Sequence, residues 1–211
     1  DPYRQGEPKS VFGNIVAVSV KSIREHPAGF SKINAAFLRF TSGTTGDSKG
    51  VVLSHETIYD RIQAANEVLC INPKDRIVWL LSMSYHFAVS IVAYLTFGAT
   101  IILCRNHLGS TVIQTALQHN GSIIYGSPVH YEMMASDRSS LMMPGIRLVI
   151  STTTALRNEI SDKFYNRFKI PLTNTYGIIE VGLPCINLRP LGKENSVGQV
   201  LPSYEIRTED I

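Results

Sequence analysis

The run Thr41-Ser42-Gly43-Thr44-Thr45-Gly46-Asp47-Ser48-Lys49-Gly50 constrains this chain more than any other stretch. Glycines let backbone N–H groups turn toward anionic oxygens. Ser and Thr hydroxyls add donors, and lysine adds a mobile cation. The run therefore reads as a loop that cradles a polyphosphate. Its flanks set the local fold. Ala36-Phe37-Leu38-Arg39-Phe40 predicts a strand entering the loop and Val51-Val52-Leu53 a strand leaving it, with Ser54 as the N-cap of a following helix. The loop is not a Walker A motif, because Lys49 lies between Ser48 and Gly50 rather than in Gly-Lys-Ser/Thr. By composition alone it could equally be a polar turn.

Downstream, apolar runs alternate between strand and helix periodicity. Strands are expected at Ile77–Leu81, Thr100–Cys104, Ser122–Tyr125, Leu148–Ile150 and Leu172–Thr175, the last clear one. Helices are expected after Ser54, from about Ala88 to Phe97, around Val112–Leu117, from Pro128 to about Ala135, and through Ile160, Phe164 and Phe168. Such alternation implies an α/β fold, a mostly parallel sheet flanked by helices. Between Arg76 and Arg105 no Asp, Glu, Lys or Arg occurs, a length that would permit a membrane span. Ser82, Ser84, His86, Ser90 and Gly98 interrupt it, so it reads as strand, loop, buried helix and strand.

A hydrophobic content of 44% with 18% charged residues predicts a packed globular protein. The net charge of +3 is spread out and forms no basic run, so no nucleic-acid partner is expected. Cys70, Cys104 and Cys185 are far apart and odd in number, as expected of buried thiols in a reducing, cytoplasmic protein. Asn120-Gly121-Ser122 reads as a tight turn.

A second constellation, Asn174-Thr175-Tyr176-Gly177-Ile178-Ile179-Glu180, lies just past a strand, where ligands of open α/β sheets bind. In order, Ser-Gly-Thr-Thr-Gly-x-x-Lys-Gly from Ser42 to Gly50 resembles the phosphate loop of the adenylate-forming superfamily, the AMP-binding acyl-CoA synthetases, aryl-CoA ligases, luciferases and peptide-synthetase adenylation domains. Tyr176 to Glu180 resembles that family's aromatic-Gly-x-Thr-Glu motif, and the resemblance covers roughly Ala35 to Arg207.

The resemblance implies an ATP-dependent carboxylic acid ligase. The acid's carboxylate attacks the α-phosphorus of ATP, pyrophosphate leaves, and the acyl group passes to the thiol of coenzyme A or a carrier-protein pantetheine. By resemblance, Thr41, Ser42, Gly43, Thr44, Thr45, Gly46 and Lys49 hold phosphates. Thr153, Thr154, Ala155, Asn174, Tyr176 and Gly177 surround the adenine, and Thr44 and Glu180 hold Mg2+. Tyr85 and His86 line the acyl pocket, and Lys49, Glu180 and His86 carry the chemistry. Two departures favour an alternative, a relative that binds nucleotide or acyl-adenylate with little turnover. Ile179 stands where the family usually has Thr, and Thr152-Thr153 where it commonly has Gly-Gly. A third reading is an interaction domain whose Gly/Thr loop is only a turn.

The expected organisation is a connecting segment at 1–34, an ATP/AMP-binding core at 35–195, and the start of a β-barrel subdomain at 196–211, with Tyr204–Arg207 as its first strand. The N-terminal and C-terminal parts of the same parent chain are expected outside the sequence. This stretch alone is then expected to turn over little or nothing. The acid itself is not legible, although the apolar run near Tyr85 favours an apolar acyl or aryl group.

Overall fold

The computed structural model describes residues 8–12, 15–18, 29, 32–41, 49–190, 193 and 196–207. Strands β1 (Pro8–Phe12) and β2 (Ile15–Val18) pair as an antiparallel hairpin. A second hairpin follows, β3 (Ala35–Thr41) and β4 (Lys49–Ser54), closing with Thr41 opposite Lys49. These are the two strands predicted to flank the phosphate loop. Residues 42–48, the centre of that loop, lie outside the described residues.

Ser54 caps helix α1 (His55–Leu69) as expected, its side chain accepting from Thr57 N at 3.0 Å. The main sheet follows: β5 (Arg76–Trp79), β6 (Thr100–Leu103), β7 (Ile123–Gly126), β8 (Leu148–Ser151), β9 (Thr173–Ile178), β10 (Gly182–Ile186) and β11 (Gln199–Val200). Its order is β11-β10-β9-β8-β7-β5-β6. Strands β5 to β9 run parallel, and β10 and β11 extend the edge antiparallel.

Period-two alternation sorts the core. Val78, Ile124 and Val149 face one way, against Val112 and Ile113 of α4 (Gly109–Gln118), Tyr131 and Met134 of α5 (Pro128–Ala135), and Phe164 and Phe168 of α6 (Asn158–Phe168). Ile77, Trp79, Ile123 and Ile150 face the other way, against Ala65 and Leu69 of α1 and against Ile91 and Tyr94. Helices on both faces explain why the strands read as continuous apolar runs rather than alternating ones.

Four expectations change. The helix placed at Ala88–Phe97 starts earlier and is interrupted: α2 (Met83–His86), a π-helical turn (Phe87–Ile91), then α3 (Val92–Thr96). β9 is not the last strand. β10 follows it, formed at a register irregularity between Gly182 and Cys185, where the missing N–H of Pro184 is tolerated. Tyr204–Arg207 form no strand. Tyr204 N instead donates to Leu201 O in a turn, and β11 pairs onto the main sheet. Of the three free cysteines, Cys185 is buried and Cys104 half-buried, but Cys70 is exposed in the left-handed cap that ends α1. No helix among the described residues is long and apolar enough to cross a membrane.

At the amino ends of the strands a bidentate ion pair joins β5 to β8. Arg147 Nη2 lies 2.7 Å from Asp75 Oδ2, and Nε lies 2.9 Å from Oδ1. Ser122 donates to the same carboxylate at 2.7 Å. The opposite, carboxyl ends are left open for a ligand.

Candidate active site

A cleft of about 1290 Å3 opens at the carboxyl ends of the parallel strands, the expected position for a ligand in a sheet of this kind. Its wall brings together segments far apart in sequence: Tyr85 and His86, Thr153 to Ala155, and Asn174 to Glu180. All the expected adenine and acyl residues thus face one space. Thr41 and Lys49 are placed by their backbones at the end of the β3–β4 hairpin, and Arg39 of that hairpin reaches the same cleft.

His86 is half-buried, with its ring edge-on to Trp79 and Tyr125 at 5.7 Å from each. Burial, reinforced by the positive charge of Arg39, pulls it down to about 4, so it is neutral near pH 7. A neutral imidazole can donate through one nitrogen and accept through the other. The π-helical turn that follows widens the backbone and carries Ser90 into the cleft.

The β9–β10 turn presents Glu180. Its carboxylate-bearing residue is exposed and lines the cleft, whereas its backbone is gripped from behind. Arg61 of α1 donates to Ile179 O at 2.7 Å and also to Glu180 O, and Tyr204 donates to Val181 O at 3.1 Å. Gly177 has a steric reason of its own: a Cβ there would sit 2.5 Å from Gly182 O across the hairpin. Tyr176 is 47% exposed, an open aromatic face on the cleft wall. Thr153 takes a left-handed φ of 78°, uncommon for a β-branched residue, at the turn that ends β8.

Among the described residues, no three His, Cys, Asp or Glu side chains form a metal cage. A lone cleft carboxylate such as Glu180 nevertheless suits Mg2+, which keeps waters and is commonly held by one or two carboxylates plus phosphates.

Several cleft residues carried little sequence signal. Arg39 stacks its guanidinium 4.5 Å above the Tyr85 ring and donates to Tyr85 O. Its mark in the sequence is that it is the only charge in an apolar strand. Ser90 was visible merely as an interruption of an apolar run. Tyr125 looked like an ordinary strand residue, as Arg61, behind the cleft wall, looked like an ordinary helix residue.

The AMP-binding enzyme family model matches residues 5–211. The chain belongs to this family. It is 27% identical over 183 residues to the 3-hydroxybenzoate–CoA/4-hydroxybenzoate–CoA ligase of Thauera aromatica, across 84% of this chain and 35% of that protein. The fold also matches two solved structures. One is the anthranilate CoA ligase AuaEII with anthranoyl-AMP, at TM-score 0.73 and 20% identity over 91% of this chain and 38% of that one. The other is the Bacillus subtilis O-succinylbenzoate coenzyme A synthetase MenE with AMP, at TM-score 0.73 and 21% identity over 84% and 38%. This AMP-binding chain thus spans little more than a third of each of these proteins. Its relatives include CoA ligases and subunit 1 of a surfactin synthase.

Proposed function

We propose that this chain is the nucleotide-binding core of an ATP-dependent acid ligase that forms an acyl-adenylate and then a coenzyme A or pantetheine thioester. The observation that carries the reading is the single cleft that gathers His86, Thr153–Ala155, Asn174–Gly177 and Glu180 beside the hairpin whose loop bears Ser42–Lys49. At about 1290 Å3 it exceeds a typical small-molecule site of about 300–1000 Å3, as room for a nucleotide and an acid together requires.

In this reading the hydroxyls of Ser42, Thr44 and Thr45, the backbone of Thr41 to Gly46 and the Lys49 ammonium hold the leaving phosphates. Thr153, Thr154 and Ala155 face Tyr176 and Gly177 around the base. Glu180, with Thr44, would hold Mg2+, which supplies charge neutralisation between two approaching anions. Arg61 keeps Glu180 in position. Neutral His86 borders the acid without adding charge. Fixed donors aimed at developing charge supply much of the rate in such chemistry.

One observation favours a second reading, a nucleotide-binding relative with weak turnover. Ile179 lines the cleft where the family motif usually offers a hydroxyl. The deciding experiment is carboxylate-dependent ATP–pyrophosphate exchange by the full-length protein, over fatty, aryl and amino acids. Exchange with one acid class is expected, and Lys49→Ala should reduce Mg-ATP affinity about tenfold or more. Unchanged affinity would overturn the phosphate-loop role. Exchange with no acid from folded protein that still binds Mg-ATP would favour the second reading, and Ile179→Thr should then raise it.

A further inference from the structure

At the foot of the cleft three hydroxyl side chains from three elements meet. Ser90, only 8% exposed, donates to the Tyr125 phenol at 3.3 Å. The Thr152 side chain hydrogen-bonds the same phenol. All three line the cleft.

The rings around Tyr125 hold this group still. Trp79 stacks on it with centroids 5.0 Å apart and planes 4° from parallel, while His86 and Tyr94 approach edge-on at 5.7 and 6.1 Å. Thr152 is anchored by its own backbone, which donates to Gly126 O at 3.1 Å. Leu81 and Ile150 add apolar surface to the same cleft. This part of the cleft therefore combines aromatic rings with one fixed polar spot.

We infer that Thr152 is a specificity-determining residue: with Tyr125 and Ser90 it closes the acyl end of the cleft so that the site takes compact aryl acids bearing a hydroxyl or amino substituent in preference to unbranched alkyl acids. A hydroxyl donates once and accepts twice, so a chain of three retains capacity to bond an incoming polar group. A substituted ring can pack on the aromatic wall and satisfy that capacity. An alkyl chain reaching the same depth would desolvate the hydroxyls and return no bond, and a site built around polar groups rejects such analogues. The branched Thr152 side chain stands on the cleft wall here, where a glycine would offer none.

The inference rests on the ligase reading. Its test measures binding rather than turnover, with two stable sulfamoyl-adenosine analogues, 4-hydroxybenzoyl and octanoyl, titrated into the full-length protein by calorimetry. Pyrophosphate exchange with the parent acids is run in parallel. The hydroxybenzoyl analogue should bind about tenfold or more tighter. Thr152→Gly should erase most of that preference by admitting the octanoyl group. Ser90→Ala, which leaves the backbone turn alone, should weaken the hydroxybenzoyl analogue selectively. Preference for octanoyl in the native protein, or an unchanged ratio in both variants, would overturn the role of Thr152 while leaving the ligase reading intact. Failure of both analogues to bind, with no exchange, would overturn the ligase reading and this inference with it.

Discussion

Arg61 Nη1 lies 2.7 Å from the carbonyl oxygen of Ile179, a contact across 118 residues of sequence. The same guanidinium also reaches the Glu180 carbonyl. A helix on one face of the sheet thereby holds the turn that presents the cleft's carboxylate. Arginine suits this because its planar fork offers several donors in fixed directions.

Arg61→Ala should loosen the β9–β10 turn. Two charge-assisted bonds to backbone, partly exposed, correspond to about 1–2 kcal/mol of stability. The more telling readout is metal dependence. If Glu180 holds Mg2+, the variant should need severalfold more Mg2+ for half-maximal exchange, and Arg61→Lys should restore only part of that. An unchanged Mg2+ requirement would make Arg61 merely structural.

Acid should destabilise the fold through two histidines. Burial, and then the neighbouring His107, pull His130 from 6.5 to about 4, and burial with Arg39 does the same to His86. Between those values the unfolded chain binds protons that the folded chain refuses. Stability should therefore fall as pH drops from about 6.5 toward 4. His130 sits at the third position of α5, accepting from Ser127 N at 3.1 Å. His130→Gln can keep that capping bond without titrating, so it should flatten the slope. Urea unfolding at stepped pH measures this, and an equal slope in the variant would exclude His130 as the source.

Asp75 is the anchor at the far end of the sheet. Burial alone would raise its carboxyl, but hydrogen bonds from Arg147 and Ser122 outweigh that and lower it. Asp75→Ala leaves Arg147 and Ser122 without their acceptor and should destabilise by about 2–4 kcal/mol. For a chain of this size that is a fall in Tm of about 5–15 °C. Because the folded carboxyl is lowered, this stabilisation is present above the ordinary carboxylate range and is lost as pH falls below it. Calorimetric melting checks the first claim and its repetition at low pH the second.

Thr153→Gly should remove backbone strain. A non-glycine residue at φ 78° costs about 1–2 kcal/mol, part of which the glycine gives back as unfolded-chain entropy. A net gain of about 0.5–1 kcal/mol is expected from denaturant unfolding. A loss of stability would mean that the Thr153 side chain makes compensating contacts on the cleft wall.

Much of the sheet was legible because burial on both faces writes long apolar runs, and because Ser54, Pro128 and Asn120 mark element ends chemically. Asn120 indeed adopts φ 52° just beyond α4. β10 was not legible, since Pro184 argues locally against a strand that the β9 edge and a register irregularity nevertheless support. The π-helical turn after His86 was hidden for a related reason, as an extra residue per turn leaves little trace in an apolar stretch.

The sequence by itself determined the alternation of strands and helices and the cap at Ser54. These depend on local periodicity and side-chain chemistry, which a linear reading contains. The tertiary structure alone decided that Arg39, Ser90, Tyr125 and Thr152 share a cleft with His86 and that Arg61 grips the Glu180 turn. Strand order and helix packing create those contacts between distant residues, so each partner in isolation looks like an ordinary strand or helix position.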